Sequence, residues 1–308
     1  MFAIKMTQEA DLWIDRRRLK RQLSIWRGIA IIVVLVTIGV TIISHKGSNL
    51  GNYIARLEIT NIIKNDTKRL ATLNRLANDQ NVKALIISIN SPGGTVVGGE
   101  ALHRSILRIK NKMPVVAIMN EVATSAGYMV AIAADHIFAQ KGTITGSIGV
   151  IFQTAEVTDL LSKVGIKVEA IKSSPLKAEP SAFSKITPKV REVTQQLVDD
   201  MNNMFISMVS TSRKIKEKQV QELADGRVFT GRMAREKGLI DAIGSEFQAR
   251  IWLSDFKGID QSLPVRNILE KPKMTDWLEH ILLLPQKMAF TEGLRLDGLL
   301  SVWHPKLN

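Results

Sequence analysis

The sequence contains no cysteine. That excludes disulfide cross-links, thiolate-held metals and a cysteine nucleophile, and it is compatible with an oxidising compartment without requiring one. Aromatic residues make up only 5% of the chain, so any core must be aliphatic. With 45% hydrophobic residues the supply is ample and argues against a disordered chain. Histidines are few: His45, His103, His136, His280 and His304. His45 adjoins an apolar run, His280 and His304 lie in an irregular tail, and His136 opens a strand pattern beyond a helix. No Ser-His-Asp arrangement suggests itself. What is present, 308 residues with 23% charged, suits one sizeable globular domain plus extra segments.

Acidic residues are outnumbered, 29 against 42 Lys and Arg, for a formal charge of +13. A basic chain raises nucleic acid as a partner, but no nucleic-acid-binding motif is recognisable. Much of the excess is local: Arg16, Arg17, Arg18, Lys20, Arg21 and Arg27 sit just before an apolar stretch. Residues 28–44 (GIAIIVVLVTIGVTIIS) carry no charge. As a helix they would span about 25 Å, near the lower limit for crossing a bilayer core. The residues after the run, Ser44-His45-Lys46-Gly47, fit a cleavage site poorly, so an uncleaved signal anchor is expected over residues 28–45. Basic residues precede the span, and only Lys46 follows closely. The positive-inside rule places residues 1–27 in the cytoplasm and everything after residue 45 outside.

A short polar linker, 46–54, leads into a regular α/β pattern. Ala84–Asn90 and Pro114–Met119 read as buried strands, and His136–Gln140 as a short one. Val97–Lys112 and Ser125–Asp135 read as helices. Thr187-Pro188 opens a long helix with an N-cap and a first-turn proline. A helix over Gly231–Lys237 follows Thr230 as its cap. Near-continuous apolar strands alternating with helices predict a mostly parallel sheet covered on both faces. Beyond residue 245 the pattern loosens into an extension, 246–308, with one amphipathic helix expected at Thr275–Leu283.

Three loops fall at the ends of expected strands, where α/β sheets bind ligands. Asn90-Ser91-Pro92-Gly93-Gly94 lets a backbone amide approach a ligand closely, but on this motif alone an ordinary Pro-Gly turn is the first reading. In Ala123-Thr124-Ser125-Ala126-Gly127-Tyr128 a serine between small residues precedes an apolar helix. It is placed like a nucleophile, with the Ala126 amide as an oxyanion donor, but on this motif alone a plain N-cap serine is the first reading. Thr145-Gly146-Ser147-Ile148-Gly149 is a glycine-rich turn whose serine can hold a base in place. A serine nucleophile needs a base, and a desolvated lysine can serve. Spacing alone does not choose among the lysines.

Taken together, Asn90-Ser91-Pro92-Gly93-Gly94, Ser125 with Gly127-Tyr128, and Thr145-Gly146-Ser147-Ile148-Gly149 resemble the protease-IV family of signal peptide peptidases. So does Ala224-Asp225-Gly226-Arg227-Val228-Phe229-Thr230-Gly231, continuing to Lys237-Gly238-Leu239-Ile240-Asp241. The similarity covers about residues 55–245 and fits the short, single-domain form of the family. It implies the Clp-protease/crotonase fold behind a single N-terminal transmembrane helix, with 55–245 as the catalytic domain. It implies Ser125 as nucleophile, Lys177 as general base, Ser147 as the residue that orients the base, and the Gly93 and Ala126 amides as oxyanion donors, with no metal and no cofactor. Expected partners are peptide substrates, above all apolar signal peptides, the bacterial inner membrane, and further copies of the chain in a ring. In that ring Lys177 of one protomer would serve Ser125 of the next. The sequence departs from the family pattern in carrying Ala126 rather than glycine after the nucleophile, but an alanine amide donates equally well.

Three rival readings share the fold. A Clp-like Ser-His-Asp protease would need a histidine some twenty-odd residues after its serine, and Thr145–Val150 has none. A crotonase-like acyl-CoA enzyme would use oxyanion amides without a nucleophile, and would not be expected to carry an anchor. A catalytically silent membrane scaffold would keep only the fold.

Overall fold

The computed structural model describes residues 23, 25–35, 37–38, 51–268 and 299–302. The chain divides into two compact units, residues 1–51 and 52–308. In the first, residues 23, 25–35 and 37–38 are helical (α1), and Ile29, Ile31, Ile32, Val33, Val34 and Leu35 are all exposed. Successive helical residues are about 100° apart, so this run is apolar all round. Among the described residues no helix is long and apolar enough to cross a membrane. The expected span extends over residue 36 and residues 39–45, which lie outside the described residues, as do residues 1–22, most of the linker and the expected helix at Thr275–Leu283.

The second unit is mixed α/β. Its sheet is built from β1 (Tyr53–Thr60), β2 (Val82–Ser91), β4 (Val115–Thr124), β5 (His136–Ala139), β6 (Ile144–Gly146), β8 (Val228–Thr230), β9 (Ala242–Ile243) and β10 (Val265–Asn267). The order β10-β1-β2-β4-β5-β9 is parallel throughout; β6 joins β4 in parallel and pairs β8 antiparallel. A smaller sheet, wholly antiparallel, places β11 (Leu299–Val302) between β3 (Gly93–Thr95) and β7 (Ile151–Phe152).

The helices are α2 (Thr67–Leu76), α3 (Val96–Lys110), α4 (Ala126–Ala131), α5 (Thr158–Lys163), α6 (Pro188–Arg213), α7 (Glu217–Leu223), α8 (Gly231–Glu236) and α9 (Glu246–Lys257). The unbroken apolar run of β2 is explained by cover on both faces. Leu85, Ile87 and Ile89 pack with α2, α3, α4 and α6, while Ala84 and Ile86 pack with Ala249 and Leu253 of α9. Caps act where the sequence predicts them: Thr95 Oγ1 accepts from Gly98 N, and Thr187 Oγ1 from Val190 N, ahead of Pro188.

Two boundaries differ from expectation. The strand expected to stop at Met119 continues to Thr124, through polar Asn120 and Glu121. A register shift opposite Ile89–Ser91 lets β4 leave β5 and pair with β6, and side chains fill the gap: Asn90 Oδ1 accepts from Val122 N, and Thr143 Oγ1 donates to Asn120 O. The helix expected over Ser125–Asp135 is shorter, Ala126–Ala131, and fully buried.

Candidate active site

Ser91, Ser125 and Ser147 stand at or just past the carboxyl ends of parallel strands β2, β4 and β6. Thr124 and Gly146 are register partners, so the two serines that follow them emerge side by side. Both have left-handed backbones, φ 57° at Ser125 and 49° at Ser147. A non-glycine residue held there costs of order 1–3 kcal/mol, and such strain persists where its surroundings enforce it. Here Ser125 N donates to Gly146 O at 2.9 Å, Ser147 N to Arg227 O at 2.8 Å, and Thr124 Oγ1 to Pro92 O at 2.9 Å.

Ser125 is 1% exposed, yet its Oγ has no hydrogen-bond partner. A buried hydroxyl without a partner costs about 1–3 kcal/mol. Ser125 caps α4 by position, but its side chain makes no capping hydrogen bond. The Ala126 amide, first in α4, has no intrahelical acceptor.

The Gly93 loop is folded against these residues. Gly93 has φ 121°, open to glycine, and a Cβ on Gly94 would lie 1.9 Å from Ile63 O. The Gly93 amide donates to Ser91 Oγ at 3.2 Å, and Ser91 Oγ donates to Asn61 O at 2.5 Å. Ser91, which the sequence offers only as part of a turn, therefore sets the loop's shape. Its signal was its place directly before Pro-Gly-Gly.

Lys177 lies elsewhere in character. It is exposed, in a turn closed by its own amide on Ser174 O, and it makes no hydrogen bond to Ser125 within the chain. The turn is organised by Glu179, which accepts from Lys172 Nζ, Ser184 Oγ and Ser181 N. The hydrogen bonds from Lys172 and Ser184 hold its carboxyl below the usual range. No sequence signal pointed to Glu179. The surrounding stretch, residues 153–187, exposes Leu160, Val164, Ile166, Val168, Phe183 and, completely, Ile171.

The described histidines are occupied or distant. His103 Nδ1 faces Met129 O at 2.7 Å in the α3–α4 contact. His136 opens β5 opposite Val116, eight residues before Thr124 along β4. At strand rise that is about 26 Å from the serines. Among the described residues no cluster of His, Asp and Glu could hold a metal.

The arrangement suits acyl transfer: a constrained hydroxyl, an amide beside it and a glycine loop opposite. A cavity of about 350 Å³ is lined by Val150, Ile151 and Phe152, just after Ser147 in sequence, by Ile186 and Val198, and by the polar Thr154, Arg191, Thr194 and Gln195.

Comparison with known proteins points the same way. The model of Peptidase family S49 matches residues 108–260, and that of Clp protease residues 56–157. A Synechocystis protein named "Putative protease slr0021" is 36% identical over 249 residues, covering 79% of this chain and 90% of its own length. Protease 4 of Haemophilus influenzae is 35% identical over 178 residues, 57% of this chain and 29% of that one. The chloroplastic serine protease SPPA of Arabidopsis thaliana is 35% identical over 163 residues, 53% of this chain and 24% of that one. The chain thus spans most of the first relative and under a third of the other two.

Proposed function

The chain belongs to peptidase family S49, and from that premise we propose that it is a membrane-anchored endopeptidase working through Ser125 and Lys177 on extended apolar peptides, spent signal peptides among them. It is a serine peptidase; the dyad, the anchor and the substrate class are what is proposed. The observation that carries the reading is Ser125 itself, strained, buried and with its hydroxyl unpartnered beside the Ala126 amide.

In the proposed reaction a neutral Lys177 accepts the Ser125 proton as Oγ attacks the peptide carbonyl. Desolvation favours the neutral form of any amine, and the serine is already buried. Charge developing on the carbonyl oxygen is met by the Ala126 and Gly93 amides, the latter turning from Ser91 Oγ. The protonated lysine then gives its proton to the leaving amine. Water, activated by the same lysine, releases the acyl group from Ser125. Ser147, neighbour to Ser125 across β4 and β6, would steady the amine.

Lys177 is exposed and makes no hydrogen bond to Ser125 within one chain, so the base is proposed to come from a neighbouring copy in a homo-oligomeric ring. The exposed apolar side chains of residues 153–187, the stretch that carries Lys177, support that assembly. The anchor is proposed over residues 28–45, with residues 1–27 in the cytoplasm and the catalytic unit outside the inner membrane. The apolar circumference of α1 and the basic flank support it. The test is hydrolysis of apolar peptides by purified full-length chain and by its Ser125→Ala variant. Turnover confined to the unsubstituted chain is expected; equal turnover by a contaminant-free variant would refute it.

A further inference from the structure

We infer that Glu179 is a positioning residue for the proposed base: through the turn it clamps, it sets where the amine of Lys177 stands. The inference rests on Lys177 as that base and deepens the reading. Residues 153–187 are mostly exposed, Lys177 included. Within them Glu179 is nearly buried, with 9% of its side chain exposed. Its Oε1 accepts from Lys172 Nζ at 2.5 Å and from Ser184 Oγ at 2.9 Å, and its Oε2 accepts from Ser181 N at 3.0 Å. One carboxylate thus ties residue 172 to residue 184, and Lys177 lies on the loop between them.

Packing holds this loop only loosely. A cavity of about 420 Å³ is lined by Ser174, Leu176 and Glu179 of the loop and by Thr187 and Val190 at the start of α6. The backbone is strained beside the base, with φ 60° at Ala178. Such strain persists where its surroundings enforce it, and the bonds at hand are those of Glu179, the next residue. The clamp also has an electrostatic side. A carboxylate beside an amine favours the charged amine, which cannot take a proton. Glu179 is two residues from Lys177 and ionised, since the hydrogen bonds from Lys172 and Ser184 hold its carboxyl below the usual range. Lys172 already meets that charge. The other charged side chains lining the cavity, Lys185 and Lys189, pair with Asp159 and Glu192. Lys172 therefore keeps the Glu179 carboxylate away from the base.

The test is acylation of Ser125 by a serine-directed probe, followed against pH and probe concentration in full-length chains. Glu179→Ala should lower the saturated rate about 100-fold, the cost of a reacting group misplaced by about 1 Å, and leave the half-saturating probe concentration unchanged. Lys172→Met should displace the pH profile to the alkaline side by about one unit or more, because the carboxylate it releases pairs with Lys177. Adding Glu179→Ala to Lys172→Met should abolish that displacement. Sedimentation checks that each variant assembles as the unsubstituted chain does. A lost assembly lowers the rate at every pH without moving the profile, so Lys172→Met decides the matter if Glu179→Ala comes apart. With Lys177→Ala inactive, an unsubstituted rate in assembled Glu179→Ala, or an unmoved profile in Lys172→Met, would overturn the inference alone. Full acylation of Lys177→Ala would instead remove the base, and the inference would fall with the reading beneath it.

Discussion

Ser125, the proposed nucleophile, is a costly residue to hold. Its φ of 57° and unpartnered buried hydroxyl each work against folding, and both serve a hydroxyl presented at a strand end. Ser125→Gly should therefore abolish hydrolysis while raising stability by about 1 kcal/mol, because glycine accepts this backbone without strain. Urea denaturation reads the second effect, and an unchanged or lower midpoint would contradict it. Ser125→Ala keeps the backbone strain and removes the proposed nucleophile. It should lower kcat by at least about 10⁴-fold, the scale of nucleophile loss in serine proteases. Such residues are legible in the sequence by their company, small neighbours before an apolar helix, but their strain is not. Nothing in Thr-Ser-Ala-Gly announces a positive φ at the serine rather than at the glycine.

The helix that follows Ser125, α4, is six residues long, too short to hold itself. Side chains tether it: His103 Nδ1 at Met129 O, and Tyr128 OH donating to Leu239 O at 2.9 Å. Beyond Leu239, Arg213 of α6 forms a bidentate pair with Asp241, whose Oδ2 also accepts from Ile137 N. Burial raises the Asp241 carboxyl, but Arg213 and the Ile137 amide outweigh it and leave it below its ordinary value. Its stabilising effect is then present above about pH 3.9 and is lost as pH falls through the lower folded value. Asp241→Asn should cost about 3 kcal/mol at neutral pH by stranding Arg213. His103 works in a higher window. Burial lowers its pKa, only partly offset by the Met129 carbonyl, so the unfolded chain takes up the proton first. Stability should fall as pH drops through about 6.5, and His103→Gln should flatten that slope. Urea midpoints from about pH 7.5 to about pH 5.5 measure it, and identical slopes would contradict the assignment. At this scale the sequence is most readable: strands, caps and the order of helices follow from period and punctuation. It misses the extension of β4 to Thr124, because Asn120 and Glu121 look like a loop until Asn90 and Thr143 supply their partners. It also misses β11, four residues whose partners are some two hundred positions earlier for β3 and about one hundred and fifty for β7, and no local pattern encodes them.

Across the whole molecule the difficulty is that, among the described residues, no side chain hydrogen-bonds Ser125 Oγ, and the proposed base Lys177 is exposed. Residues 153–187 form almost no regular structure, bury little, and expose apolar side chains up to complete exposure at Ile171. A charged substitution there, Ile171→Asp, should dissociate the proposed ring and lower hydrolysis without unfolding the sheet, read by sedimentation alongside circular dichroism. A ring that persists and stays active would exclude this stretch from the interface. The account as a whole is tested most directly by covalent labelling with a serine-directed acylating probe, located by mass spectrometry. The chains compared are unsubstituted, Ser125→Ala, Lys177→Ala, and the two variants co-assembled. The account predicts label on Ser125 of the unsubstituted chain, none on either variant alone, and label restored to Ser125 of the Lys177→Ala chain in the mixture. Label on Ser125→Ala, or full labelling of Lys177→Ala alone, would contradict it.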